Sequence, residues 1–382
     1  MLKKRLLGTL ILLAGITLVL TMAGCGGSDG GNGSGNGNGG STITVGDTVY
    51  IAGFYWDGNR YIACYWKNGV RTNLQVPAGR EARANAIVVS GGSVYIAGEY
   101  WDSDNHSINT ACYWKDGVRT DLLTPEGTRG GAYGIAVSGG SVYIAGGYWW
   151  GSGPATACYW KDGERTDLQV PDGAVGASAY TIAVSGGSVY VAGNYWGSGP
   201  ATACYWKDGE RTDLQVPVGM RGYVQGGIAV LGGSVYVAGF YSLIEGGHIP
   251  TASYWKDGER TNLQVPEGTI LSAATGITLS GGSIYIAGVH YDGTNFTACY
   301  WRNDIRTNLF TFDAEVEDLG TLMIAVSGSS VHIAGTYGIT DYYDGGYEKV
   351  TAFYWKDGVK TNLQVPAGTM ESFAFGIAVV AN

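Results

Sequence analysis

Apolar residues occur along this chain in short runs that alternate with polar positions and end at Gly, Asn or Asp, and no stretch beyond residue 41 shows the spacing of a long amphipathic helix. Four such runs follow one another and then recur. Ile135 to Ser138, Ser141 to Gly146, Thr156 to Lys161 and Glu164 to Leu168 make up one set, each with the length and residue types of a strand. The second run carries the marker V-Y-I-A-G, whose copies begin at Val49, Val94, Val142, Val189, Val235, Ile284 and Val331, 45 to 49 residues apart. That period suits propeller blades and is too long for a solenoid coil. One segment, Gly151 to Pro171, returns unchanged as Gly197 to Pro217, so part of the sameness is recent duplication.

The turns support the same reading independently. Asn68-Gly69, Asp116-Gly117, Asp162-Gly163, Asp208-Gly209, Asp257-Gly258 and Asp357-Gly358 link third to fourth runs, and only Asn303-Asp304 departs from the pattern. Such dipeptides between alternating segments are the strongest short hairpin signal. Gly91-Gly92, Gly139-Gly140, Gly186-Gly187, Gly232-Gly233 and Gly281-Gly282 make the other hairpin. A lone four-stranded sheet would leave apolar faces in water, whereas blades packed radially bury both. The expectation is an all-β, seven-bladed β-propeller of four-stranded antiparallel blades over residues 42–382, its ring closed by a terminal strand. The first-strand motif occurs once too often, at Thr42 to Val45 and again at Gly376 to Val380. The latter fits the consensus and is expected to lie innermost beside Val49 to Gly53.

A G-I-A-V strand followed by V-Y-I-A-G resembles the repeats of bacterial YVTN and NHL-type seven-bladed propellers, in which the former lines the central channel. The third strand, A-C-Y-W-K-[DN]-G, departs from that pattern. The resemblance implies a binding platform and no particular chemistry.

The first residues concern location. Met1 to Gly24 has three basic residues, an apolar run and small residues, the layout of a secretory signal. Leu6 to Gly24 is also long enough to remain as a membrane anchor. Met22-Ala23-Gly24-Cys25 resembles the lipobox of bacterial lipoproteins, which implies a signal peptide over 1–24, acylation such as palmitate at Cys25, and an envelope lipoprotein. Gly26 is not the aspartate of an inner-membrane retention signal, so the outer membrane is expected, its periplasmic or surface side left open. Gly26 to Ser41 is a Gly/Ser/Asn-rich tether with a reach of roughly 20–24 Å. The formal charge of −9 becomes more negative once Lys3, Lys4 and Arg5 are removed, which argues against nucleic acid as a partner.

Residues needed by every copy serve the blade. Trp66, Trp114, Trp160, Trp206, Trp255, Trp301 and Trp355 fill one slot and read as packing between blades. Cys64, Cys112, Cys158, Cys204 and Cys299 fill another, with Ser253 and Phe353 in its remaining copies, and read as buried thiols too far apart to bridge. His332 replaces a core tyrosine, while His106, His248 and His290 are placed in loops.

Function belongs on the face that carries the links from second to third strand and from blade to blade, because there the copies differ. The former links open on Tyr55-Trp56, Tyr100-Trp101, Tyr148-Trp149-Trp150, Tyr195-Trp196, Tyr241, His290-Tyr291 and Tyr337. With Asp57, Asn59, Asp102, Asp104, Asn105 and Asn295 beside them, they have the composition of a glycan or peptide contact surface. The same tyrosines also suit caps on the blade ends. Trp56, Trp101, Trp149, Trp150, Trp196 and Tyr291 are the candidate ligand residues. The links into the next blade carry charge unevenly: Arg80, Glu81 and Arg83 sit between blades 1 and 2, while Asp313, Glu315, Glu317 and Asp318, between blades 6 and 7, could hold Ca²⁺ or form a solvated loop. At the channel mouth Asn85, Tyr133, Tyr180, Thr275, Leu322 and Phe375 include no carboxylate, His, Lys or Cys, so no enzyme, cofactor or metal centre is expected. Recognition of a protein partner or glycan remains, with a lectin or a metal-dependent hydrolase or lyase as alternatives.

Overall fold

The computed structural model describes residues 46–102, 109–197, 199–243, 249–313, 318–341 and 346–381. Side chains are described there except at 313–319 and 339–348. All regular elements among these residues are strands. The chain runs through β1 (Thr48–Trp56), β2 (Tyr61–Lys67) and β3 (Val70–Asn73), then β4 (Arg80–Ser90), β5 (Ser93–Asp102), β6 (Asn109–Lys115) and β7 (Val118–Asp121). Next come β8 (Arg129–Ser138), β9 (Ser141–Trp149), β10 (Ala155–Lys161) and β11 (Glu164–Asp167), followed by β12 (Gly176–Ser185), β13 (Ser188–Trp196), β14 (Thr202–Lys207) and β15 (Glu210–Asp213). The fifth set is β16 (Met220–Leu231), β17 (Ser234–Leu243), β18 (Thr251–Lys256) and β19 (Glu259–Asn262), and the sixth is β20 (Leu271–Ser280), β21 (Ser283–Tyr291), β22 (Asn295–Arg302) and β23 (Ile305–Asp313). The chain ends with β24 (Asp318–Ser327), β25 (Ser330–Asp341), β26 (Gly346–Lys356), β27 (Val359–Asn362) and β28 (Ser372–Val380).

Seven four-stranded antiparallel sheets result, six of consecutive strands and one ordered β28-β1-β2-β3. The innermost strands touch in the cycle β4, β8, β12, β16, β20, β24, β28 and back to β4, which closes the ring. Blade 1 therefore joins both ends of the chain. Val379 lies opposite Val49 and Ile377 opposite Ile51, the pairing expected for Gly376 to Val380. Thr42 to Val45 lies outside the described residues.

Both hairpins turn with two residues at positive φ, from Asn68 at 49° with Gly69 at 81° to Asn303 at 47° with Asp304 at 68°. The odd sequence of blade 6 thus keeps the common geometry. A side-chain oxygen at this turn also accepts the N–H that opens the second strand, as from Val94 to Asp116 and from Val142 to Asp162, both 2.8 Å. The two hairpins consequently sit at one end of each blade, the hairpin face. Asp47, at the start of blade 1, is held there by the Ser327 hydroxyl at 2.9 Å and by His332 Nε2 at 3.2 Å. His332 is a core residue whose Nδ1 lies 2.7 Å from the Tyr354 hydroxyl, and burial lowers its pKa.

The seven tryptophans lie between blades. Six donate from Nε1 to a carbonyl on the link leaving the previous blade, among them Trp114 to Gln75, Trp206 to Gln169 and, across the closure, Trp66 to Gln364. Each is buried to 1 % exposure or less. The five described cysteines are buried and unbridged, and burial pushes their thiols far from ionisation.

Candidate functional site

The aromatic pairs assigned to links belong to strand ends instead. Tyr55 and Trp56 end β1, Tyr148 and Trp149 end β9, and Tyr195 and Trp196 end β13, because the second strand continues its pairing past the V-Y-I-A-G run. His290 likewise lies in β21, opposite Thr297, and takes the tyrosine slot there. Burial, then Arg306, lowers its pKa and keeps it neutral. His106 and His248 lie outside the described residues, as do Asp104, Asn105, Glu315 and Glu317.

The recurring tyrosine is a structural cap. Tyr100, Tyr148 and Tyr195 donate to Asp121, Asp167 and Asp213 of the outer strand. The Arg of that strand lies over the ring, from 4.3 Å for Arg71 on Tyr55 to 4.9 Å for Arg211 on Tyr195. A ring clamped between an acid and a guanidinium has little left for a ligand.

The six candidate ligand residues separate on exposure. Trp101 and Tyr291 are buried, at 5 % and 4 % exposure, and so offer no open ring. Trp101 lies against Arg83, and Tyr291 stacks on Phe296 while donating to the Gly293 carbonyl at 2.7 Å. Trp56 is half-buried and edges Tyr61. Trp149 is half-buried, between Arg129 and Ala155 in the blade 3 sheet. Trp196 is half-buried against Gly176 and Pro154 of the neighbouring blade, where a methyl group on Gly176 would come within 2.7 Å of the indole. Trp150 alone of the six is open, at 59 % exposure, with its ring edge over Gly127. Val175, on the link into blade 4, is also exposed.

A second constellation was not anticipated, and it corrects the reading of the channel mouth as free of titratable groups. Each innermost strand bulges near its variable-face end, leaving Asn85, Tyr133, Tyr180, Thr275 and Phe375 unpaired, while in blade 7 the bulge precedes Leu322. Some of these residues bridge neighbouring blades. Asn85 donates to the Ala132 carbonyl, Thr275 Oγ1 to that of Leu322, and the rings of Tyr133 and Tyr180 stand 6.3 Å apart. Two residues further toward the variable face, Arg83 of β4 faces Glu99 of β5 across the strands. Other blades put Phe373/Phe54, Gly131/Gly147, Ser178/Asn194, Tyr223/Phe240 and Ala273/Val289 at this register. Among these pairs only blade 2 carries charge.

The Arg83 guanidinium lies 5.1 Å from Phe54, 5.6 Å from Tyr61 and 5.0 Å from Trp101. Its Nε is buried without a partner. Glu99 is 7 % exposed, and its Oε2 has no hydrogen-bond partner either. Burial raises its pKa, against the opposing pull of Arg83 and Asn109. Tyr133 approaches the same point, and burial, then Glu99, pushes its phenol up strongly. Across the seam Glu371 accepts from Tyr61 at 2.8 Å and is also raised by burial, while the buried Glu81 accepts from the Tyr61 N–H at 3.2 Å. A hint was present in the sequence, since Glu99 occupies a slot that other copies fill with Phe, Gly, Asn, Val or Thr. Arg83 stood out only as link charge beside Arg80 and Glu81; all three lie in β4 instead, and the register brings Arg83 to Glu99.

Among the described residues no group of three or more His, Cys, Asp or Glu is placed to hold a metal ion. No protein-family model and no curated protein matches the chain. Solved structures do. A puromycin hydrolase S511A mutant complexed with PGG aligns at a TM-score of 0.51 and 14 % identity, over 84 % of this chain and 52 % of that one. The β-propeller domain of the Trilobed protease from Pyrococcus furiosus aligns at 0.47 and 10 %, over 84 % and 95 %, and the polysaccharide lyase Uly1 at 0.46 and 10 %, over 96 % of both. The chain thus spans about half the length of the hydrolase, and at such identity the likeness is one of fold: this chain is built as a β-propeller.

Proposed function

We propose that the protein is a non-catalytic recognition module of the bacterial envelope, acylated at Cys25 and binding a glycan or protein partner through its variable face. The observation that carries this reading is the opposition of the two faces. The chain enters the ring at Asp47, fixed to Ser327 and His332 on the uniform hairpin face. Trp150, Trp196 and Val175 lie at the other end of the blades. A tether joined to the ring at the hairpin face leaves the variable face at the far end from the point of attachment.

Binding without turnover fits the groups available. The thiols are buried and protonated. Glu371 and Glu81 both accept hydrogen bonds from Tyr61, so among the described residues of this cluster Glu99 has no second open carboxyl to complete an acid–base pair. A glycan array probed with the full-length protein, with crosslinking on native membranes beside it, tests the reading. Saturable capture lost in Trp150→Ala and Trp196→Ala, with the fold intact, is expected. A blank array together with no crosslinked partner overturns it, and incorporation of radiolabelled palmitate into a Cys25→Ser variant as fully as into the parent overturns the anchoring half.

A further inference from the structure

We propose that the Arg83–Glu99 cluster at the seams of blades 1, 2 and 3 is a binding site for a neutral sugar ring. The inference rests on the glycan half of the function proposed above and assigns it to a different place from the exposed tryptophans.

Two buried polar atoms, Glu99 Oε2 and Arg83 Nε, lack partners although they belong to the same small region. Buried polar groups are nearly always satisfied, so an unpartnered acceptor and donor on two facing residues point to a group that arrives from outside. Blade 3 brings a third group to them. Its pair at this register is Gly131 and Gly147, the one all-glycine pair among those compared. A methyl group on Gly131 would collide with the Tyr133 hydroxyl and lie 2.8 Å from Glu99 Oε2, so the glycine is what lets the Tyr133 phenol approach Glu99.

The chemistry narrows the ligand. Glu99 and Glu371 both feel the Arg83 charge and Glu81 lies two residues from Arg83 on β4, so an acidic sugar would meet like charge. A basic group would meet Arg83. Hydroxyls both donate and accept, and can serve Glu99, Tyr133 and Arg83 together. Hydrogen bonds to ionised partners are the stronger kind. Of the rings around Arg83, the half-buried Tyr61 adds an apolar wall for the C–H face of a sugar.

The test uses the full-length protein, methyl glycosides of glucose, galactose and mannose, and the methyl glycoside of glucuronic acid as a charged control, read by titration calorimetry. At least one neutral glycoside is expected to saturate. Its affinity should fall roughly tenfold or more in Glu99→Gln and in Arg83→Met, the scale of a lost charge-assisted hydrogen bond. Tyr133→Phe, which keeps the ring and the packing, should weaken it about threefold. Trp196→Ala should leave it unchanged. The proposal is overturned if no neutral glycoside saturates, if the glucuronide binds tighter than all of them, or if binding persists in Glu99→Gln and Tyr133→Phe. Array hits lost in Trp150→Ala but kept in Glu99→Gln would sink this site while sparing the glycan reading. A blank array with saturating glycosides would show instead that the site takes free sugars only.

Discussion

The joint between blades 3 and 4 and the joint between blades 6 and 7 use the same sequence slots to different ends. At the first, Trp206 is fully buried and donates to the Gln169 carbonyl at 2.6 Å, across a link that leaves β11 after four residues. At the second, β23 runs for nine residues and keeps pairing with β22, with Phe310 opposite Ala298. The backbone that would receive the next tryptophan is drawn into the sheet. Trp355 is 7 % exposed and its Nε1 finds no partner. An aromatic cluster compensates. Phe353 fills the cysteine slot, 5.1 Å from Phe310 and 5.8 Å from Tyr337, and Lys360 lies 3.9 Å from the Tyr337 ring. One joint is thus held by a directed hydrogen bond inside a close-packed slot, the other by ring area. The repeat prescribes contact between blades, and the polar lock is one of two ways to make it.

Removing the ring should have the largest effect. Trp206→Ala is expected to cost about 3–5 kcal/mol, and Trp355→Ala less, since its slot is already looser; urea unfolding of both variants measures the gap. Equal losses would erase the distinction. Phe353→Cys installs the residue of five other blades, yet should destabilise by about 3 kcal/mol because the cluster around Phe310 loses its centre. A neutral or stabilising result would mean that the cysteine slot is set by the blade alone. Trp206→Phe should exceed Trp355→Phe by about 1 kcal/mol, the worth of the lost hydrogen bond.

A third joint, between blades 2 and 3, adds a pH test. Glu99 is more readily protonated in the folded protein than in the unfolded chain, because burial raises its pKa. In the window from the unfolded value up to the raised one the folded state binds more protons, so this group's contribution to stability falls as pH rises. Glu99→Gln should therefore raise the melting temperature at neutral pH and lose that advantage on acidification toward pH 4. The smallest effect belongs to the caps: Tyr195→Phe removes one bond to the half-exposed Asp213 and should cost under about 1 kcal/mol.

Much of this architecture was legible because it rests on local chemistry. Asn68-Gly69 and its counterparts name their turn through positive φ, and a tryptophan in every copy can only serve the copy. The closing strand was legible as well, since Gly376 to Val380 carries the pattern of an inner strand with no other place to pair. Strand ends were not. Tyr148 and Trp149 looked like the start of a link, but pairing with Thr156 and Ala155 carries β9 through them. The charged cluster was hidden for a related reason. Arg83 and Glu99 are sixteen positions apart and meet only because a bulge at Asn85 shifts the register by one. Nothing in the local sequence reports that shift.

The pairing of β28 with β1 also sets an order of events during synthesis. Six blades are contiguous and can form as they emerge, but blade 1 is left with three strands until β28 appears, after every other strand. Until then β1 offers a bare, largely apolar edge, the kind that pairs with other chains. The ring is therefore most vulnerable to aggregation just before β28 is made. That strand acts as the latch that retires the edge.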